Sequence, residues 1–195
     1  QNDAVRIEAA GEARQHGDIA YHLMPVHPNE RDHAIINTLL WFDSQNTIIF
    51  CQTREAVRHM AARLHNRGFS VVALSGELSQ AERTNALQSM RDGRARVCVA
   101  TDVAARGIDL PNLDLVIHAD LPSNPETLLH RSGRTGRAGR KGVSVVIAPW
   151  HRRRRAERVL KMARVDALFM SPPDAEAVDK RQNERMLADP DFTIA

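Results

Sequence analysis

Five short, predominantly apolar runs constrain this chain more than any other feature. They are "TIIFC" (47–51), "SVVAL" (70–74), "ARVCVA" (95–100), "LDLVIHA" (113–119) and "GVSVVIA" (142–148). None alternates apolar with polar residues, so neither face of such a strand is meant for water. A sixth run, "DIAYHLMPV" (18–26), has the same character. The segments between them carry helical spacing. Ile35, Ile36, Leu39 and Leu40 mark a helix over 29–42. Val57, Met60, Ala61 and Leu64 mark a second, with Thr53 as N-cap and Gly68 as terminator. "SQAERTNALQSMRDG" opens on a capping box of Ser79 and Glu82. Strands covered on both faces and joined by helices predict βαβ units. The fold class is therefore α/β, a parallel sheet with helices on both faces.

The 195 residues allow one domain and an appendage. No apolar run is long enough to cross a membrane, and the polar start "QNDAVRIEAAGEARQ" does not read as a secretory leader. A first residue of Gln raises the expectation of a fragment or processed piece. Cys51 and Cys98 lie inside apolar runs and read as buried thiols of a reducing compartment, which implies a cytoplasmic setting. The nine histidines show no ligand spacing, so no metal site is expected. Net charge is +3, the pI is about 9.3, and lysine occurs only at 141, 161 and 180. Arginine suits a polyanionic partner through its bidentate grip on phosphate. A base-composition bias of the source explains the same preference equally well.

Ligands of such sheets bind at the carboxyl ends of the strands, and the unusual chemistry falls there. "HRSGRTGRAGRKG" (130–142) sets four arginines among four glycines. Read as a helix from Asn124 and Pro125, it places His130, Arg134 and Arg137 on one stripe and Arg131 off it. Glycines are costly in a helix but permit close approach, so the stripe fits a compact polyanion such as a nucleotide triphosphate. Pairing with surface carboxylates would explain the charges but not the glycine spacing. In "ATDVAARGID", Thr101 offers a hydroxyl, Arg106 a charge, Gly107 a close backbone approach and Asp109 an acceptor for a ribose. Taken alone this is equally a turn. In "SGELSQAER", Ser79, Gln80 and Arg83 open a helix whose free amides suit phosphate, or are simply a capped polar turn.

Together and in order, "IIFCQT", "SGELSQAER", "ATDVAARGIDLP" and "HRSGRTGRAGRKG" resemble motifs IV, IVa, V and VI of the C-terminal RecA-like domain of DEAD-box RNA helicases. The resemblance covers roughly 18–150. It implies a RecA-like sheet and an enzyme, an ATP-dependent RNA helicase. It implies Arg137 as an arginine finger at the γ-phosphate with Arg134 beside it, His130 coupling the ATP site to another domain, and Asp109 with Gly107 at the nucleotide. It implies Thr101, Gly76, Gln80 and Arg83 on the RNA backbone, with Thr53 or Arg54 less firmly placed. Phe50 is expected in the core, with a possible packing role against the motif VI arginines. The family usually has His where this chain has Ser75; that leaves the backbone contact at Gly76 but puts the family role of that side chain in doubt.

The sequence contains no GxxxxGK[ST] phosphate loop and no Asp-Glu-Ala-Asp run. The expectation is half an enzyme. An N-terminal RecA-like domain would hold ATP with Mg2+, and this chain alone would be inactive. The parts are then 1–16 as linker region, 17–150 as the motor domain, 151–170 as a closing Arg-rich helix and 171–195 as linker and short helical extension. That extension is expected to lie outside the motor fold and to lead toward a dimerisation or RNA-binding element. "HRRRR" (151–155) reads either as an RNA-binding patch or as the solvated face of a helix that packs Val159, Leu160 and Ala163 inward. A stand-alone, non-catalytic RNA- or protein-binding module remains the competing reading. Half of a DNA helicase would need motif wording that the sequence lacks.

Overall fold

Every one of the apolar runs becomes a strand. The computed structural model describes residues 6–7 and 18–191. Its strands are β1 (Arg6–Ile7), β2 (Ile19–Val26), β3 (Thr47–Phe50), β4 (Val71–Leu74), β5 (Val97–Ala100), β6 (Leu115–His118), β7 (Gly142–Pro149) and β8 (Ala167–Phe169). They form one sheet in the order β1-β8-β2-β7-β6-β3-β5-β4. All neighbours pair in parallel except β1 with β8. The carboxyl ends of seven strands therefore meet along one edge.

Alternate residues of each strand feed opposite cores. Met24, Ile49, Ile117 and Ile147 pack against helices α1 (Arg31–Phe42) and α2 (Arg54–Asn66). Ile48, Phe50, Cys98 and Val116 face the other side, toward α3 (Gln80–Arg91) and α4 (Asp102–Ala105). Leu23, Val146 and Ala148 continue that second side beneath α5 (Pro125–Ser132) and α6 (Arg153–Met162). Burying one such side chain fully contributes about 1.5–3 kcal/mol. Both cysteines are buried and unpaired, and burial pushes each thiol up to about 12.

The helix starts are set by side chains, as the sequence predicts. Thr53 accepts from the Ala56 amide at 3.0 Å and Asn124 from Thr127 at 2.8 Å. Ser79 and Glu82 close a reciprocal capping box. Val159, Leu160 and Ala163 are all buried under α6.

Three expectations need correction. The helix from Asn124 does not reach Arg137; it ends at Ser132, with Gly133 as its cap. Beyond it Gly136, Ala138 and Gly139 have φ of 68°, 55° and 76°, in the left-handed region that a helix cannot continue. At Gly136 a Cβ would stand 2.5 Å from the Ile19 side chain, so close packing on β2 as well as φ demands glycine. His130, Arg134 and Arg137 therefore share no helical stripe. Next, 151–170 is not all helix: α6 stops at Met162, and "ALF" returns to the sheet as β8 beside β2. Finally, the extension is not free of the domain. Helix α7 (Ala175–Ala188) lies against α1. Arg181 covers the Trp41 ring with its guanidinium carbon 3.8 Å from the centroid and donates to the Trp41 carbonyl at 2.9 Å. Asn37 bonds the Pro173 carbonyl at 3.0 Å, and Val178 is buried. Of residues 1–16, only the strand pair 6–7 lies within the described residues.

The docking of α7 has a measurable consequence. Ending the chain after Met170 exposes the α1 face that Val178 and Arg181 cover. A loss of about 2 kcal/mol is expected from the lost burial, or a fall of roughly 4–8 °C in melting temperature for a chain of this size. An unchanged thermal transition would show that α7 contributes nothing to the domain.

Candidate nucleotide cleft and nucleic-acid edge

Three segments meet at the carboxyl edge of β5 and β6: the loop after α4, the 119–124 turn and the region from α5 to 137. They enclose a cleft of about 590 Å³ lined by Phe50, Asp102, 105–108, Ser123, Thr127, His130, Arg131, Gly133, Arg134 and Arg137. That size suits a small-molecule ligand. Thus the structure brings His130, Arg134, Arg137 and Gly107 together, although not by the helical route expected.

Of the four arginines that line the cleft, Arg106 is exposed, and the other three have different surroundings. Arg131 is only 3% exposed. Its Nε and Nη2 donate to the two oxygens of Asp102 at 2.7 and 2.8 Å, and Nη1 donates to the Asp120 carbonyl at 2.8 Å. Its guanidinium carbon sits 5.3 Å from the Phe50 ring centroid. Arg134 is half-buried and donates to the carbonyls of Ile108 and Ala105 at 2.6 and 2.5 Å. Burial, and secondly the charge of Arg137, lower its pKa from the usual value. Arg137 is exposed, and no hydrogen bond or ion pair engages its guanidinium among the described residues. Only its backbone is held, the amide donating to Asn112 Oδ1 at 3.0 Å. His130 is exposed at the rim.

Beneath the cleft lies a buried polar cluster. His118 Nε2 is 2.8 Å from Ser144 Oγ, and Ser144 Oγ is 2.8 Å from Ser132 Oγ, the last residue of α5. Burial, and secondly Arg131, hold the His118 pKa well below the ordinary value, so the ring is neutral. This cluster ties the end of α5 to β6 and β7.

Asp109 is exposed and is not among the lining residues. Its carbonyl accepts from Arg91 at 2.8 Å instead. The lining also includes Arg106, the charge of "ATDVAARGID", and Asp102, Ser123 and Thr127, to which the sequence attaches no site role. Asn112, which fixes the Arg137 backbone, carried no signal in the sequence.

The residues expected on RNA lie along the same edge, toward β3, β5 and β4. Thr53 and Thr101 cap α2 and α4 with their hydroxyls. Gly76 and Gln80 are exposed, and a Cβ at Gly76 would meet open space. Arg83 is half-buried and donates to the Ala104 carbonyl at 2.8 Å, joining α3 to α4. Arg54 pairs with Glu77 at 3.5 Å on the surface, a contact of little energetic weight. Gln80 offers a free side chain here, while Thr53, Thr101 and Arg83 already have internal partners.

The chain was compared with known proteins. Residues 30–139 match the family model described as the helicase conserved C-terminal domain. An ATP-dependent RNA helicase, SrmB of Haemophilus influenzae, is 34% identical over 200 residues, covering 95% of this chain and 45% of that protein. The solved C-terminal domain of the DEAD-box protein Dbp5 superposes with a TM-score of 0.75 at 27% identity, over 86% of this chain and 98% of that one. Saccharomyces cerevisiae Dbp5 bound to RNA and ADP BeF3 gives 0.73 at 26%, over 84% and 44%. The chain spans between 16 and 45% of the length of the curated relatives it matches.

The different surroundings of Arg131 and Arg137 predict different stabilities. Arg131→Ala leaves Asp102 and a backbone carbonyl unpaired, at a cost of about 2–3 kcal/mol because Asp102 is partly exposed. The melting temperature is expected to fall by roughly 5–10 °C. Arg137→Ala removes no internal contact and is expected to melt with the wild type. Equal melting of the two variants in a calorimetric scan would remove the distinction.

Proposed function

Because the chain belongs to the helicase conserved C-terminal domain family, as a DEAD-box C-terminal RecA-like domain, we propose that it is the second motor domain of an ATP-dependent RNA helicase. The observation that carries this reading is Arg137: an exposed guanidinium with no partner among the described residues, held by its backbone at the mouth of a cleft of nucleotide size. Arg134 is locked to the loop beside it and fixes the geometry from which Arg137 reaches.

The residues present fit a nucleotide's phosphates better than a metal. Arg106, Arg134, Arg137 and His130 line the cleft. Its one lining carboxylate, Asp102, has both oxygens engaged by Arg131. In the proposed mechanism ATP, held mainly by an N-terminal RecA-like domain with Mg2+, supplies the phosphoryl group. Arg137 approaches that group when the domains close and stabilises the charge that develops during transfer. Gly107, with φ of 73°, lets the backbone come close to the ligand. His130, exposed in the cleft lining, would be the contact to the other domain. Gln80, Gly76 and the helix starts beside them hold the RNA backbone, which gives affinity without sequence choice.

The test uses the two-domain protein. Arg137→Lys keeps a charge but loses the planar fork. RNA-stimulated ATP turnover is expected to fall by about 10³-fold or more, the scale of arginine fingers. RNA binding without nucleotide is expected to stay within about twofold, since no RNA contact is assigned to Arg137. The isolated 195-residue chain is expected to bind single-stranded RNA weakly and not to hydrolyse ATP. Full turnover in Arg137→Lys, or an equal loss of RNA binding without nucleotide, would sink the finger assignment.

A further inference from the structure

Helix α6 carries charges that its fold does not use. Ala156, Val159, Leu160 and Ala163 form its buried face. At about 100° per residue, Arg154, Arg158 and Lys161 fall within roughly 60° of one another on the opposite side, and all three are exposed. Arg152 and Arg155 are exposed as well, off this stripe. Only Arg153 reaches a carboxylate on this helix, Glu157 at 4.0 Å. Among the described residues no ion pair holds Arg152, Arg154, Arg155, Arg158 or Lys161.

The local rules of helix stability run against this arrangement. Arg154 and Arg158 are like charges at i, i+4, and Arg158 and Lys161 at i, i+3. The first turn holds arginines, no acid and no side-chain cap, the reverse of what the helix dipole favours. Neutral residues would make a better helix, so folding does not account for the charges. They suit an external polyanion.

We propose that the exposed face of α6 is a second RNA-binding surface that grips the sugar-phosphate backbone outside the helicase motifs. The proposal rests on the reading of this chain as an RNA-binding motor domain. Position supports RNA as the occupant. Strand β7 runs parallel to β6 and β3, so residues 150–152 leave the sheet at the same edge as Thr53. Two strand spacings, roughly 10 Å, separate those strand ends. The stripe from Arg154 to Lys161 adds about 10 Å along the helix. A strand held at the motif edge therefore has α6 within a few nucleotides' reach. Trp150, 49% exposed at the start of the helix, adds an aromatic surface on which a base can stack. Nothing in this face reads base edges, so the binding is independent of sequence.

The test is anisotropy with labelled oligouridine across a salt series, on the 195-residue chain. Arg154→Glu with Arg158→Glu and Lys161→Glu is expected to lower affinity at least about 10-fold. The slope of log affinity against log salt should shrink by about 2, since each phosphate contact on a single strand contributes roughly 0.7. Replacing both arginines by Lys is expected to keep the slope. Gln80→Ala with Arg83→Ala should weaken binding while the slope changes by less than about 1. Wild-type affinity and slope in the triple variant, folded by its melting temperature, would overturn the proposal. If the triple Glu variant does not fold, Arg154→Gln with Arg158→Gln and Lys161→Gln carries the same decision. Loss in the Gln80 and Arg83 variant with none in the α6 variant leaves the motor reading standing and this inference refuted. The opposite pattern supports α6 and refutes the motif-edge assignment. Polyglutamate bound as tightly as oligouridine, and released by the triple substitution, would assign the face to an acidic protein and overturn the RNA proposal.

Discussion

The cleft depends on one buried guanidinium. Arg131 is nearly inaccessible, and three of its nitrogens donate to acceptors from two other segments, Asp102 at the start of α4 and the carbonyl of Asp120 after β6. Removing such a group from water is expensive, and it is tolerated because the fork geometry matches the carboxylate and the Phe50 ring lies beside it. The result is that the loop after β5, the turn after β6 and helix α5 cannot move independently. Arg134 extends the same lock to 105–108. The neutral His118 cluster anchors the end of α5 from below.

This lock explains why glycine and arginine alternate between 130 and 142. A helix would have pointed the arginines outward in a fixed rotation. The left-handed turns after Gly133 instead fold the chain back along β2, and Ile19 leaves room there only for a glycine. The four arginines consequently face four ways: Arg131 into the core, Arg134 onto a neighbouring loop, Arg137 into open space and Arg140 toward Asp114 on the surface. Their different roles follow from the acceptors that each meets, not from their spacing.

The sheet was legible because burial on both faces leaves a continuous apolar run, which nothing else in the chain imitates. The helix starts were legible because Thr53, Ser79 and Asn124 cap through their own side chains at fixed short offsets. The end of α5 was not, since the periodicity continues formally through Arg137 and only packing on Ile19 breaks it. Strand β8 was hidden by its length of three residues. The docking of α7 was hidden because its chief contact is a cation over the Trp41 ring, and no apolar stripe announces that. In the site, His130, Arg134, Arg137 and Gly107 could be chosen from the motif wording. The Asp102–Arg131 pair could not, because its partners are 29 positions apart and each looks like an ordinary surface charge in sequence.

Charge compensation distinguishes two groups of cations among the described residues. Arg31, Arg131 and Arg134 each have oxygen acceptors that the fold itself provides. Among the described residues Arg137 and the outer stripe of α6 have none, and both stand on backbone that is otherwise held: one by Asn112, the other by Val159 and Leu160 in the core. An uncompensated cation on mobile backbone is simply solvated. An uncompensated cation on a fixed support keeps its position while its field remains available; burial first, and the charge of Arg137 second, lower the pKa of Arg134 beside it. Under the function proposed above, a phosphate entering there would relieve the repulsion between Arg134 and Arg137, and a polyanion on the α6 stripe would do the same for Arg154, Arg158 and Lys161.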